Sequence, residues 1–278
     1  MSRSEGAAEA TAIAPGVHAL TLGRGALASN VYFVRSGESW VLVDAGWPGS
    51  GQAIARVAES LFGAGVRPAG ILATHLHPDH TGSARELSQR WAVPVSVHPG
   101  ELPTAAGGYL PEYANPLDRW VVGPVLRLLP ARTRDRIVAS SDLTDIVRGL
   151  DPRDLPGLPD WEAVPSPGHT PGHVAFHRPA DGVLITGDAV LTVDLNSVTG
   201  VLRGTQKVSG PPAYTTWSRP RAHSSIAALA ALEPRVLAPG HGEPLLTGAS
   251  SALHALAERV AGPRPGRTRG GRGSSRGG

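Results

Sequence analysis

Residues 74–82 read THLHPDHTG, so three histidines and an aspartate fall within six positions, His75 to His80. The stretch follows a short apolar run, residues 70–74 (GILAT), and precedes a segment with helical spacing, residues 83–91 (SARELSQRW). A strand that runs into a loop of ligand-type side chains places them at a sheet edge, where the sites of layered folds collect. In extended backbone His75 and His77 project to the same side and can share a metal. Asp79 and His80 are displaced along the chain and can serve a neighbouring one. A tetrahedral zinc takes four ligands, and a catalytic one keeps a position open for water. Whether this loop serves one metal or two depends on what the rest of the chain brings to it.

The rest of the chain repeats one pattern. An apolar strand ends, and a loop of small residues presents one ligand-type side chain. WVLVDAG presents Asp44, WEAVPSPGH presents His169, GVLITGD presents Asp188 and RVLAPGHG presents His241. Glycine and proline beside these residues permit tight turns and close approach to a bound group. His75, His77, Asp79, His80, His169, Asp188 and His241 make seven candidate ligands, with Asp44 as a further acid. Seven exceeds the capacity of one zinc ion. Two metals about 3.5–4 Å apart, sharing one carboxylate and one hydroxide, accommodate them. There is no cysteine, so any metal must use nitrogen and oxygen ligands. Those suit zinc, the first choice, and also manganese or iron. His18, His98, His177, His223 and His254 read as ordinary surface or core histidines, and His173 as a neighbour of the ligands.

The segment HLHPDH resembles the H-x-H-x-D-H signature of the metallo-β-lactamase superfamily. VDAG, PSPGHTPGH, ITGD and APGHG follow that family's order, across about two hundred residues from Asp44 to His241. The resemblance implies an α/β fold, a four-layer αβ/βα metallo-β-lactamase sandwich with a helical lid insertion. It implies His75, His77 and His169 on a first metal, Asp79, His80 and His241 on a second, and Asp188 bridging them. It makes Asp44 an acid behind the ligands that accepts a hydrogen bond from a ligand histidine and fixes its tautomer. The expected activity is metal-dependent hydrolysis by a hydroxide shared between the metals, with Asp79 taking or steering a proton and Asp188 as the second catalytic acid. Asp188 argues against a true β-lactamase. The pattern is similar to glyoxalase II-type thioesterases and lactonases, which gives a thioester, ester or lactone as substrate. Phosphodiesterases and nucleases of the same fold, and thioesterase–cyclases of secondary metabolism, are the alternatives.

The chain of 278 residues suffices for one large domain. Residues 1–260 are expected to form it, with an insertion at about 101–160 that carries two short helices, near 117–129 and 131–139. Tyr109, Tyr113 and Trp120, with Val121, Val122, Val125, Leu126, Leu128 and Leu129, are candidates to line an apolar cleft. A second candidate wall is the loop 188–216, with Asn196, Arg203, Lys207 and Tyr214, and Trp217 just beyond it. Strands are expected at 17–22, 30–34, 40–44, 70–74, 93–97, 145–150, 161–165, 173–177, 182–186 and 235–238. Helices are expected at 51–63, 83–91 (with Ser83 and Glu86 as a capping box), 219–232 and 249–261.

The net charge of +3 is misleading, because residues 261–278 carry five arginines and no acid, which leaves −2 for the rest. The tail reads as disordered. A body without excess positive charge disfavours nucleic acid as a partner. No apolar run approaches a membrane span, and the N-terminus lacks a signal-peptide core. The expectation is a cytoplasmic enzyme acting on a small molecule with an apolar portion, with no membrane partner. The oligomeric state is not legible.

Overall fold

The computed structural model describes residues 9–25, 28–197 and 206–262. The disordered-tail expectation and Arg203 lie outside them. Seven strands form one sheet in chain order: β1 (Thr11–Ala14), β2 (Val17–Leu22), β3 (Ser29–Ser36), β4 (Ser39–Val43), β5 (Ile71–Leu72), β6 (Val95–Val97) and β7 (Val147–Gly149). The first four are antiparallel. β4 to β7 run parallel, joined through helical connections that include α1 (Gly51–Phe62), α2 (Pro78–Thr81) and α3 (Ala84–Trp91).

A second sheet has the order β13-β10-β9-β8, from β8 (Glu162–Pro165), β9 (Val174–Arg178), β10 (Val183–Gly187) and β13 (Val236–Pro239). β10 and β13 are parallel and the other pairs antiparallel. A small ribbon pairs β11 (Leu191–Val193) with β12 (Gln206–Ser209). Between β6 and β7 lie a 3₁₀ turn (Pro99–Thr104), a π-helical turn (Asp118–Val122), α4 (Gly123–Leu128) and α5 (Ala131–Ser141). α6 (Arg219–Ala230) and α7 (Ala249–Ala261) flank β13 in sequence.

Strand alternation sorts the apolar residues into three layers. Tyr32, Val34, Val41, Val43 and Leu72 of the first sheet meet Val174, Phe176, Val183, Ile185 and Ala238 of the second. The opposite face of the first sheet, with Phe33, Leu42 and Ile71, packs on Ile54 and Val57 of α1 and on Leu87 and Trp91 of α3. The opposite face of the second, with Ala175, Leu184 and Leu237, packs on Ile226 and Leu229 of α6 and on Leu253 and Leu256 of α7. Residues i and i+2 share a face of a strand, so a strand buried on both faces feeds two layers. The result is helix, sheet, sheet, helix, the expected four-layer sandwich.

Some local expectations need correcting. The loop 188–216 contains β11 and β12, and β1 precedes the first expected strand. The capping box at α3 does not form. The Ser83 hydroxyl donates instead to the Trp47 carbonyl at 2.7 Å and accepts the Ser50 N–H at 2.9 Å, so a neighbouring loop has claimed it.

Candidate metal centre

The seven ligand-type residues converge at one edge of the sandwich. Asp44 directly follows β4, and β5 leads into Thr74 to His80. The turn after β8 carries His169, Asp188 directly follows β10, and His241 lies two residues beyond β13. Three overlapping groups place ligand atoms within 4.8 Å of one another: His75, His77 and His169; His75, His80 and Asp188; and Asp79, His80 and His241. His169 Nε2 is 2.9 Å from His77 Nδ1 and 3.4 Å from Asp188 Oδ2. His241 Nε2 is 3.1 Å from Asp79 Oδ2 and 3.5 Å from Asp188 Oδ2. Asp188 thus stands between the two histidine groups. The close approach requires Gly240, where a Cβ would overlap Asp188 Oδ1 and crowd the His80 ring.

The far nitrogens of three of these rings are held by the protein. His80 Nδ1 donates to Asp44 Oδ2 at 2.8 Å. The Thr74 hydroxyl donates to the Asp44 carboxylate and therefore accepts from His75 Nδ1, 3.1 Å away. His241 Nδ1 donates to the Ala28 carbonyl at 2.7 Å. In all three the proton is on Nδ1, and Nε2 keeps its lone pair for a metal. Asp44 thus orients His80 directly and His75 through Thr74.

His75 Nε2, His80 Nε2 and Asp188 Oδ1 are buried without a hydrogen-bond partner. His80 Nε2 does lie 3.3 Å from Asp188 Oδ1, within ion-pair range but outside hydrogen-bond geometry. Each such orphan costs about 1–3 kcal/mol in a folded protein, and a divalent cation would satisfy them together. The residues therefore fit a metal-binding role.

The electrostatics agree. Burial, reinforced by neighbouring imidazoles, holds His75 and His169 well below the usual range. Burial opposes charge on His80 and His241 too, but the facing carboxylates outweigh it. His80 is raised well above the ordinary value and His241 to about 10. Asp79 falls to about 2, with His80 and His241 overcoming its burial. A pocket that draws protons this strongly would draw a metal cation in their place.

Four residues beyond the expected ligands shape the site. Glu101, 1 % exposed, accepts the Leu76 N–H at 3.0 Å and the Gly172 N–H at 2.7 Å, and so clamps the His75–His77 loop to the His169–His173 loop. A Cβ on Gly172 would strike the backbone of Gly100 and Glu101, so this clamp needs glycine there. His173 Nε2 accepts the Asp188 N–H at 3.0 Å, and its Nδ1 donates to Ser166 Oγ at 2.8 Å. Burial holds His173 down at about 3, so it stays a neutral acceptor. Asn30 donates to the Pro239 and Gly242 carbonyls, and the Tyr32 hydroxyl to Pro239, which ties the His241 loop to the first sheet.

A cavity of about 200 Å³ adjoins the cluster, lined by His77, Glu101, His169 and Thr170 and by residues of the insertion, including Tyr109, Tyr113, Val122 and Leu126. No lysine or arginine is among its described lining residues. Other members of the expected cleft fall elsewhere. Trp120 is 80 % exposed and Leu128 86 %, and Val121 and Val125 are half exposed. They are on the outer side of a helical segment whose inner side supplies Val122 and Leu126. Asn196 lines a separate hollow beside α6, where it accepts from Ala213 and donates to Pro211. The Trp217 indole donates to the Glu112 carbonyl, and its backbone N–H to the His169 carbonyl. Tyr214 is half exposed. Burial, then the charges of Asp188 and Asp79, raise its hydroxyl above the ordinary range.

A four-layer sandwich with a histidine–aspartate cluster at one sheet edge defines a metal-dependent hydrolase. The sequence profile of the metallo-beta-lactamase superfamily matches residues 24–241, and the chain belongs to that family. It is similar to the probable metallo-hydrolase YflN of Bacillus subtilis (strain 168), at 39 % identity over 254 residues, covering 89 % of this chain and 92 % of that one. A hydroxyacylglutathione hydrolase of Halorhodospira halophila is 28 % identical over 125 residues, 45 % of this chain and 34 % of that one. Among solved structures, TTHA1623 in a di-iron-bound form superposes with a TM-score of 0.52 at 26 % identity, covering 84 % of this chain and 96 % of that one. The metallo-beta-lactamase of Pontibacter korlensis shares the fold, with a TM-score of 0.60 at 19 % identity over 90 % of this chain and 98 % of that one.

Proposed function

We propose that the protein is a dinuclear metallohydrolase of carbonyl substrates: a thioester, ester or lactone with an apolar acyl portion. His75, His77 and His169 would hold one metal and Asp79, His80 and His241 the other, with Asp188 shared. The metals are most naturally zinc; iron or manganese suits the same donors. A similar protein, TTHA1623, is described in a di-iron form, which supports a count of two. Bound metals supply an activated water, lowering its pKa from roughly 15.7 to about 7, and polarise the carbonyl. The chain's own residues do the rest. Asp44 and Ala28 fix the histidine tautomers, and His173 holds the Asp188 backbone. Asp79, whose carboxylate is partly exposed, would steer a proton. The insertion that includes α4 and α5 acts as a lid.

The observation that carries the substrate class is the cavity beside His77 and His169. Its wall carries Tyr109, Tyr113, Val122 and Leu126 beside the acids Glu101 and Asp118, and among its described lining residues there is no lysine or arginine to add to the metals' hold on a phosphodiester. Likeness to a hydroxyacylglutathione hydrolase supports a thioester among the carbonyl substrates. The test is a matched panel of an acyl thioester, a lactone and a phosphodiester, assayed with metal-loaded wild type and with Asp188→Ala. Carbonyl turnover that falls by at least about a thousandfold in the variant is expected. Turnover of the phosphodiester alone would overturn the reading.

A further inference from the structure

Residues 118–141 run from the π-helical turn through α4 to α5, and of these only Gly123 is buried. Helices of this length draw their stability from packing an apolar face, yet here only Leu126, Leu129 and Val138 are partly buried and the other large apolar side chains lie outside. Trp120, Val121, Val125, Leu128 and Ile137 are all exposed. Contiguous apolar exposure of this kind marks an interaction surface. The same segment holds Arg119, Arg127, Arg132, Arg134 and Arg136 against Asp118 and Asp135, a net charge of +3. The whole chain is also +3. Five arginines lie beyond residue 262, so what remains outside this segment and that tail carries −5. The segment is a basic, exposed apolar patch on an acidic remainder.

We propose that this helical segment docks on an anionic lipid surface. Trp120 and Leu128 would enter the interfacial layer, and the arginines would meet the headgroups. Charge complementarity selects this occupant. A second copy would bring the same patch against itself across a two-fold axis, setting +3 against +3. The chain's own C-terminal segment is arginine-rich and cannot neutralise the patch. No helix among the described residues is long and apolar enough to cross a membrane, so any membrane contact through this segment is at the surface and does not span. The segment's inner side, Val122 and Leu126, lines the cavity beside His77 and His169. On the hydrolase reading, docking therefore sets one wall of the acyl cavity against the bilayer, where an apolar substrate partitions. The lipid contact itself does not rest on that reading.

The test is co-sedimentation of the full chain with vesicles of phosphatidylcholine alone and of an equal mixture with phosphatidylglycerol. Wild type should pellet with the mixed vesicles and stay in solution with the neutral ones. Trp120→Ala/Leu128→Ala keeps every charge and alters only exposed side chains, so its melting temperature should match wild type. Its partitioning should drop by about tenfold or more. Equal binding of the variant would mean attraction through the basic tail alone and would overturn the proposal. So would equal binding to neutral vesicles, or absence of vesicle binding, including the case in which light scattering shows a dimer that the double variant abolishes. None of these readouts uses turnover, so failure here leaves the hydrolase reading untouched, and an inactive enzyme leaves this one untouched.

Discussion

Asp44 has a φ of 63°, a left-handed conformation that costs a non-glycine residue about 1–3 kcal/mol. The strain is repaid by where it aims the carboxylate, which accepts from His80 Nδ1, the Thr74 backbone N–H and the Thr74 hydroxyl. Asparagine tolerates the same φ, so Asp44→Asn changes the acceptor and the charge and leaves the backbone alone. The new amide can satisfy the Thr74 N–H with its oxygen but presents donors to the other two groups. His80 would then carry its proton on Nε2, where the metal should bind. We expect affinity for Co(II), followed by its visible absorption, to fall about 10–100-fold. Unchanged affinity would mean that Asp44 serves only to shape the turn.

At the scale of elements, the site is an arrangement of loops, and Glu101 governs how two of them meet. Its two oxygens each accept one backbone N–H, from loops that contribute three of the proposed ligands. In Glu101→Gln one oxygen becomes an amide NH2, a donor that faces another N–H. One hydrogen bond should be lost and the two loops should separate. The expected outcome is a Co(II) affinity lower by about tenfold or more, with Glu101→Asp recovering part of it. If both variants melt earlier and bind Co(II) as wild type does, the carboxylate is structural only.

Glu101 also shows how far the sequence could be read. The strand-end pattern that exposed Asp44, His169, Asp188 and His241 applies equally to VPVSVHPGE, yet a lone acid after two turn residues does not resemble a ligand, and it is not one. The chemical groups of the site were legible because their residue types are costly to bury unpaired. The residues that position them were not, since Asn30, Tyr32 and Glu101 act through backbone groups remote in sequence. Ser83 failed as a cap for the same reason, its hydroxyl being taken by the Trp47 carbonyl, and β11 and β12 are too short to show alternation within a turn-rich stretch.

For the whole molecule, the sandwich has two sheets whose shared edge holds carboxylates and imidazoles in close opposition. The orphaned His75 Nε2, His80 Nε2 and Asp188 Oδ1 are liabilities unless something satisfies them. Removing bound metal with a chelator should therefore lower the melting temperature. Metal at a hundredfold excess over its Kd contributes about 2.7 kcal/mol, and a chain of this size shifts by about 2–4 °C per kcal/mol. A drop of roughly 5–10 °C in differential scanning fluorimetry is expected, reversed by adding the metal back. An unchanged melting temperature would mean that the cluster binds no metal when folded.

The bond from Asn30 to the His241 loop has a consequence for synthesis. A chain leaving the ribosome presents His75 to His80 early, but His241 and the carbonyls that Asn30 grips come only near the end. A half-made protein can hold a metal ion loosely, by the first histidines alone. On the proposed metal reading, tight loading would wait for β13 to slot in beside β10 and be caught from across the sandwich. Synthesis of that strand and maturation of the centre would then be one event, and a product terminated before it would lack His241.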